Sequence, residues 1–431
     1  MTIYNGGSFF KKFKQLASGS IAAQLITLAI SPILTRMFTP SEFGWLAFVV
    51  AGGTIISSFL SLKLDYAIPK KDNLESANSL LNSSFFLVFL CLILLSIFVI
   101  ITGSFFPVGD VDYYYFALLI ALLLALNNVL VNYMNYLQSY KLIAIALVIN
   151  SLLTSFFKLG FGFIGVGNAL LYATVLGSGL SLLFIFLAGG LNKACSYINL
   201  KENLKKDIQE NFDFIKFYLP SSIFSALSMQ MPALLIGFLY GSYILGFYSL
   251  SIRILQMPVA LIGASMGRVY YKEVANLSSL DEQKKLTIKL LYVLIAIGFL
   301  PIAALSFFGE TIFLFIFGSD WGEAGVVSEL LGPWIFLVFI FSPLINILLV
   351  KNEQRKLFYT SLLLFIFRTA AVGLCYVLGY SFLDMFQLFA LTSVVLWLVN
   401  GYFILNSLKF KKLKFLFVSS IYLMMSCYVI F

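Results

Sequence analysis

The chain contains no histidine, and only 11% of its 431 residues carry a charge. It therefore lacks the side chain that most often transfers protons or binds metals near neutral pH. Its four cysteines show no paired spacing, which argues against a disulfide framework and a metal site. No phosphate-binding loop, nucleophile elbow or HExxH motif occurs. We therefore predict a protein that is not an enzyme and that carries no cofactor.

Apolar residues dominate instead, at 61% of the chain, with a mean hydropathy of +0.98. This composition predicts an all-α polytopic membrane protein. A helix needs roughly 20 apolar residues to span a bilayer. Twelve segments meet this requirement: 16–36, 43–64, 80–102, 113–137, 142–163, 168–188, 214–237, 243–267, 288–308, 327–350, 357–380 and 384–406. The stretch 415–431 is interpreted as either a thirteenth span or a peripheral helix.

The basic residues predict the orientation, because positive charge near span ends stays on the cytoplasmic side. Lysine and arginine concentrate in alternate connections, which places the N-terminus in the cytoplasm. The connections on the other side are acidic and contain Glu42, Asp110, Asp112, Glu310, Asp320, Glu323 and Asp384. This distribution explains the net charge of +9 without a nucleic-acid partner. The N-terminal apolar run is too long for a cleavable signal and is expected to remain as an anchor.

The longest cytoplasmic connection, at about 189–213, separates six spans from six. The predicted parts are an N-terminal lobe at 1–200, a C-terminal lobe at 201–412 and the extra segment at 413–431. A weak repeat supports two related lobes, since Pro32 precedes Gly44 by twelve residues and Pro232 precedes Gly246 by fourteen. Parallel repeats place a substrate path between two halves. A chance match is the alternative.

Three cations lie inside predicted spans: Lys158, Arg253 and Arg368. A cation at the centre of a span costs roughly 2.5–3.5 kcal/mol, so it usually faces a wet cavity, a partner or a substrate. Both arginines lie about ten residues from either span end, roughly 15 Å from water. Their planar forks suit phosphate, so we predict an anionic, phosphate-bearing cargo. The alternatives are snorkelling for Lys158, and pairing with a distant acid or with carbonyl groups for the arginines.

Polar residues recur at helical spacing in four spans, as expected for helices that line a hydrated cavity. These stripes include Asn128, Asn132, Asn135 and Ser139 in span four; Asn150, Thr154, Lys158 and Gly162 in span five; Ser221, Ser225 and Ser228 in span seven; and Gly246, Ser249, Arg253, Gln256 and Gly263 in span eight. Packing between helices is the alternative interpretation. Asn128, Asn132 and Gln256 are candidate contacts for sugar hydroxyl groups.

Two acidic features have competing interpretations. Asp65, close to Lys63 at the inner end of span two, is interpreted as part of an inner gate or as a surface ion pair. Asp110 and Asp112 form a DxD motif, which some membrane glycosyltransferases use to hold a metal ion. The external loops are short for such an enzyme, which favours a solvated acidic loop.

Several motifs together carry a family resemblance. The segment 245–273 reads LGFYSLSIRILQMPVALIGASMGRVYYKE, with supporting matches in SPILTRMFTPSEFG at 31–44, SLKLDYAI at 61–68, and FGSDWGEAG and LGPW within 317–334. Over residues 16–406 the chain resembles the Wzx-type oligosaccharide-lipid flippases of the multidrug/oligosaccharidyl-lipid/polysaccharide exporter (MOP) superfamily.

The resemblance implies two six-helix bundles that alternate access to a cationic cavity, as in the multidrug exporters (MATE) of the superfamily. The implied substrate is an undecaprenyl-pyrophosphate-linked oligosaccharide, moved across the bacterial inner membrane for O-antigen, capsule or exopolysaccharide assembly. Implied partners are membrane lipids, a polysaccharide polymerase and a chain-length regulator. Arg253 and Arg36 lie in the matching motifs, whereas Lys158 and Arg368 rest on depth and symmetry. The coupling ion, proton or sodium, stays open.

Three rival functions remain at this point. A cation-coupled multidrug exporter of the same fold is expected to have carboxylates in its cavity, where this sequence places cations. A lipid-linked glycosyltransferase depends on the DxD motif, and loses its basis if activity persists after both Asp110 and Asp112 are changed to Asn. A lipid II flippase is a close neighbour, although that group resembles a fourteen-span architecture.

Overall fold

A computed structural model describes residues 6–103, 111–189, 200–212, 214–277, 279–351 and 353–410. These residues form helices and turns and contain no strand. In lipid the backbone polar groups must bond internally, which helices achieve within each segment. The helices are α1 (Gly6–Met37), α2 (Pro40–Leu60), α3 (Leu74–Gly103), α4 (Val111–Tyr136), α5 (Tyr140–Ile164), α6 (Ala169–Ala188), α7 (Leu200–Glu210), α8 (Leu219–Leu239), α9 (Gly241–Leu255), α10 (Ala264–Asn276), α11 (Leu280–Phe317), α12 (Gly322–Leu344), α13 (Asn346–Val350), α14 (Gln354–Val377) and α15 (Phe382–Ser407).

Eleven helical stretches in the described ranges are long and apolar enough to cross a membrane. Together they confirm a multi-pass membrane protein, and the predicted spans match them in position except for span eight, predicted at 243–267. That segment is divided into α9, a π-helical turn at Val259–Gly263, and α10. Neither α9 nor α10 alone reaches the roughly 20 residues that a span needs. Span eight is therefore a discontinuous helix.

Pro258 explains why this span breaks. Proline has no backbone N–H and its ring clashes with the carbonyl group four residues earlier, here that of Ile254. The helix α9 accordingly ends at Leu255 with Gln256 as its C-cap. Two α-helical residues, Met257 and Pro258, precede the π-helical turn at Val259–Gly263, and such turns are frequent at functional sites. The apolar character continues across the break, so the hydropathy pattern does not reveal it.

The contacts divide the chain into two compact units. The first unit comprises Met1–Phe38 and Trp45–Gln230, and the second comprises Thr39–Gly44 and Met231–Phe431. The predicted lobe boundary near residue 200 precedes this division. The helix α8 begins in the first unit and ends in the second.

The first unit has its core around the C-terminal ends of α2 and α4, the N-terminal half of α3 and a 3₁₀ helix at Leu64–Lys70. The amphipathic helix α7, within the long connection predicted at about 189–213, packs Leu204 and Ile208 against this core. Its Asp207 is 4% exposed and accepts hydrogen bonds from Ser79 Oγ at 2.8 Å and Ser83 Oγ at 2.6 Å. The connection between the two halves is thus attached to α3 by a buried carboxylate.

In the second unit α12 lies at the centre, with most of its side chains buried. Close approach of α11 to α12 depends on Gly309 and Gly325, since a Cβ atom at either would meet the backbone of the other helix. The helix α11 is kinked at Phe308, which has non-helical dihedral angles. The kink frees the amide of Glu310, which donates to the Glu329 carboxylate at 2.9 Å.

Gly44 and Gly246, the pair that suggests a sequence repeat, lie against each other in the second unit. A Cβ atom on Gly44 would overlap the carbonyl oxygen of Ser242, and one on Gly246 would overlap that of Pro40. The backbones at the starts of α2 and α9 are therefore in direct contact. Side chains larger than hydrogen have no room at either position.

We expect Gly44→Ala and Gly246→Ala each to lower the free energy of unfolding by about 1–3 kcal/mol, because backbone atoms have to move. Gly373→Ala is the matched control, since a Cβ atom there meets nothing within 4 Å. It replaces glycine by alanine inside α14 and is expected to be neutral or to stabilise by up to about 1 kcal/mol. Thermal unfolding of the purified proteins measures the effect. Equal midpoints for all three variants would contradict this account.

Candidate functional site

Arg253 lies in the last turn of α9, two residues before the helix ends at Leu255. The partial negative charge at the C-terminal end of a helix favours a cation nearby. The side chain is exposed. No side chain within the described ranges forms a hydrogen bond or ion pair with it. The alternative of pairing with a distant acid is therefore not found there, and the side chain is available to a ligand.

Gln256 is the C-cap of α9 and is also exposed. It lies one turn after Arg253, on the same broken segment. In transporters, broken spans bring helix ends and polar side chains to the depth at which substrates and ions bind. The break thus places Arg253 and Gln256 together.

Arg368 has a more enclosed environment than Arg253. Its Nε donates to Ser393 Oγ at 2.8 Å. Its guanidinium carbon lies 4.3 Å from the ring centroid of Trp334 and 5.3 Å from that of Phe389. These contacts are cation–π interactions, which reduce the cost of burying the charge. The described residues supply no carboxylate partner for it.

The other two candidate cations belong to the first unit. Lys158 is half-buried in α5, six residues before the helix ends at Ile164, and it interacts with other described residues. Arg36 is exposed in the last turn of α1, where the helix dipole favours a positive charge. Their assignment as ligands stays a prediction.

Asp65 is not a surface residue. It is 1% exposed and accepts hydrogen bonds from Ser61 Oγ at 2.6 Å and from Asn132 Nδ2 at 2.8 Å. Lys63 is 6% exposed, with its Nζ 5.1 Å from the ring centroid of Tyr66. The surface ion pair was therefore the wrong alternative. The side-chain amide of Asn132 instead donates to the carboxylate of Asp65. Asn128, one turn earlier on α4, is exposed.

Burial sets the ionisation of this cluster, which lies in the connection between α2 and α3. Burial raises the pKa of Asp65 above its ordinary 3.8, opposed by the hydrogen bond from Ser61, the charge of Lys63 and the hydrogen bond from Asn132. Burial likewise lowers the pKa of Lys63, opposed by the charge of Asp65. The pKa of Tyr66 rises to about 12, mainly through burial.

Sequence reasoning missed a cavity inside the first unit, with a largely apolar lining and a few polar side chains. It has a volume of about 140 Å³, and Asn127, Asn150, Thr174 and Ser178 contribute its polar wall. The Oδ1 atom of Asn150 is buried there without a hydrogen-bond partner. Asn150 belonged to a predicted stripe, but Asn127 did not, because its neighbour Asn128 fitted the chosen period. Two adjacent asparagines in an apolar span were the available signal.

Glu329 was also missed. The sequence placed it at the end of span ten, but the spanning stretch begins at Ser319 and Glu329 lies ten residues inside it. The contact with the amide of Glu310 gives this carboxylate a structural role at the kink of α11. Asp112 is exposed at the start of α4, and Asp110 lies outside the described residues.

We expect the charges of Asp65 and Lys63 to be coupled. In a double-mutant cycle with Asp65→Asn and Lys63→Met, the double variant should be more stable than the sum of the single effects by about 0.5–3 kcal/mol. The reason is that each single change leaves the other buried charge uncompensated. Thermal or denaturant unfolding provides the four free energies. Strict additivity would show that the two charges act independently.

Asp65 should also give the stability a pH dependence. The stability that its protonated form contributes is present below the ordinary pKa of 3.8 and is lost as the pH rises through the raised pKa. Wild-type stability should therefore decline relative to Asp65→Asn as the pH increases. Melting temperatures of both proteins between pH 4 and pH 8 test this. Parallel curves of melting temperature against pH for the two proteins would rule out a raised pKa of Asp65.

Comparisons with known proteins agree with this description. The profile of the polysaccharide biosynthesis protein family matches residues 33–326. The capsular polysaccharide biosynthesis protein CapF of Staphylococcus aureus is 25% identical over 341 residues, which cover 77% of this chain and 83% of CapF.

Two solved structures show the same fold. The lipid II flippase MurJ in an inward closed conformation superposes with a TM-score of 0.69 at 12% identity, covering 95% of this chain and 91% of MurJ. An inward-facing multidrug resistance MATE transporter of the MOP superfamily gives 0.58 at 18% identity, covering 91% and 94%. The all-α exporter fold predicted from the sequence is thereby confirmed. The family profile covers more than half of the chain, so the chain belongs to the polysaccharide biosynthesis protein family.

Proposed function

We propose that the protein moves undecaprenyl-pyrophosphate-linked oligosaccharide from the cytoplasmic to the outer leaflet by alternating access. The product supplies O-antigen, capsule or exopolysaccharide assembly. The protein lies in the bacterial inner membrane with its N-terminus in the cytoplasm, as the basic connections favour. A polysaccharide polymerase and a chain-length regulator act on the delivered units.

The observation that carries this proposal is the environment of Arg253. Arg253 is an exposed residue at the break of a membrane span, and no acidic side chain in the described ranges neutralises it. A charge at this depth is costly unless a ligand, water or another charge stabilises it. The pyrophosphate of a lipid-linked sugar provides opposite charge and matches the planar fork of arginine.

The other candidate residues divide by chemistry. Arg368 and Lys158 add positive charge for the pyrophosphate, and Arg36 adds charge at the outer end of α1. Gln256 and Asn128 are exposed amides, suited to sugar hydroxyl groups. Asn132 reaches the cargo only indirectly, because it donates to Asp65. Asp65 serves as the buried anchor of an inner gate.

The family and the relatives support a lipid-linked cargo. CapF is described as a capsular polysaccharide biosynthesis protein, and MurJ as a lipid II flippase. The MATE exporters share the fold, but the sign of the charge at Arg253 and Arg368 favours an anion over an organic cation. A glycosyltransferase role has no comparable support from the geometry.

Arg253→Ala should reduce surface polysaccharide by roughly 10- to 100-fold, since it removes a charge-assisted contact to phosphate. Arg253→Lys keeps the charge without the fork and should give an intermediate loss. Lys285→Ala, which removes an exposed charge near the start of α11, is the control and should have no effect. Surface polysaccharide is quantified in cells, with membrane levels of each variant measured by immunoblotting.

The same cells reveal the direction of transport. Loss of function should cause lipid-linked oligosaccharide to accumulate in the cytoplasmic leaflet, inaccessible to an impermeant periodate label. A wild-type amount of surface polysaccharide in Arg253→Ala cells, at an equal level of the protein in the membrane, would contradict the assignment of this residue. Accumulation in the outer leaflet would place the defect after translocation and count against the flippase role.

A further inference from the structure

Two buried N–H donors in the second unit have no acceptor. They are Nη2 of Arg368 and Nε1 of Trp334, and neither forms a hydrogen bond within the described chain. Trp334 is 5% exposed. A buried donor without a partner costs about 1–3 kcal/mol, and more when the group is charged. Such atoms are rare in native structures and call for a ligand or a water molecule.

The two donors belong to side chains in contact, since the Arg368 guanidinium carbon lies 4.3 Å from the Trp334 ring centroid. The orientation of the guanidinium is fixed as well. Its Nε donates to Ser393 Oγ at 2.8 Å, and Ser393 is fully buried. Phe389 lies 5.3 Å from the guanidinium carbon and packs edge-to-face on Trp334 at 5.5 Å. Arginine cannot easily turn away from this position to satisfy Nη2 elsewhere.

The described residues around Arg368 supply no negative charge. Tyr248 packs edge-to-face on Phe389 at 6.2 Å, which adds a further aromatic ring to the wall. Aromatic faces attract the guanidinium from above, but they do not accept hydrogen bonds from its in-plane N–H groups in the manner of an oxygen. Water satisfies the donors but not the charge. An anion satisfies both, and two oxygens of one phosphate reach two neighbouring donors.

We propose that Arg368 Nη2 and Trp334 Nε1 together form a binding site for one phosphate-sized oxyanion, with Ser393 as the residue that positions the guanidinium. The assignment of this oxyanion to the pyrophosphate of the cargo rests on the proposed function. The indole N–H of Trp334 is then a substrate ligand that the sequence analysis did not include. The site holds a single phosphate group, and Arg253, which is exposed, contacts the cargo elsewhere.

Binding of radiolabelled inorganic pyrophosphate to the purified full-length protein tests this site. Trp334→Phe keeps an aromatic face for Arg368 and removes only the N–H donor, so affinity should fall about 3- to 10-fold. Arg368→Gln should lower it about 10- to 100-fold. Trp397→Phe, on α15, is the matched tryptophan control and should bind as the wild type does. Size-exclusion profiles report whether each variant is folded.

A second arm identifies the source of the oxyanion. Farnesyl pyrophosphate should compete with the label if the site receives a lipid-linked head group. Failure to compete, with the label still bound, would overturn the assignment to the cargo. Wild-type affinity in Trp334→Phe, or no pyrophosphate binding by the wild type, would overturn the site itself and leave its donors to water. Because binding needs no translocation, this result is independent of the test of Arg253 in cells.

Discussion

Positive charge held in a medium of low dielectric constant, without a carboxylate beside it, is the constraint on which the candidate site depends. Water normally solvates such a charge, and the hydrocarbon of the lipid cannot take its place. The protein treats its two deep arginines differently. Arg253 stays exposed at a helix end, whereas Arg368 is enclosed by aromatic rings and one serine hydroxyl. Both arrangements leave N–H groups available to an anion.

The break in span eight makes the first arrangement possible. Pro258 has no N–H to contribute to the hydrogen-bond ladder, and α9 ends at Leu255. The C-terminal end of α9 favours a positive charge, and Arg253 lies in its last turn. The local stabilisation is modest, typically about 0.3–1 kcal/mol, and does not neutralise the charge. The helix end therefore offsets part of the cost of placing Arg253 in the membrane, but the positive charge still lacks a counter-charge among the described residues.

A second polar system lies at the inner end of the first unit and follows a different logic. Asp65 and Lys63 are both almost fully buried, and the carboxylate receives hydrogen bonds from α4 and from its own segment. Close by, Asp207 attaches α7 to α3. Two buried carboxylates therefore hold connecting segments in place. Buried polar groups of this kind contribute specificity of packing more than net stability.

The sequence by itself determined the membrane class, the position of the spans and the family, because hydropathy and motifs are properties of contiguous residues. It also singled out Arg253 and Arg368, because depth in a span can be counted along the chain. It did not determine the surroundings of Asp65, Arg368 or Gly246. Those depend on Asn132, Trp334 and Pro40, which are distant in sequence and meet only when helices pack. Only the tertiary structure decided which polar atoms found partners, since each partner comes from another helix.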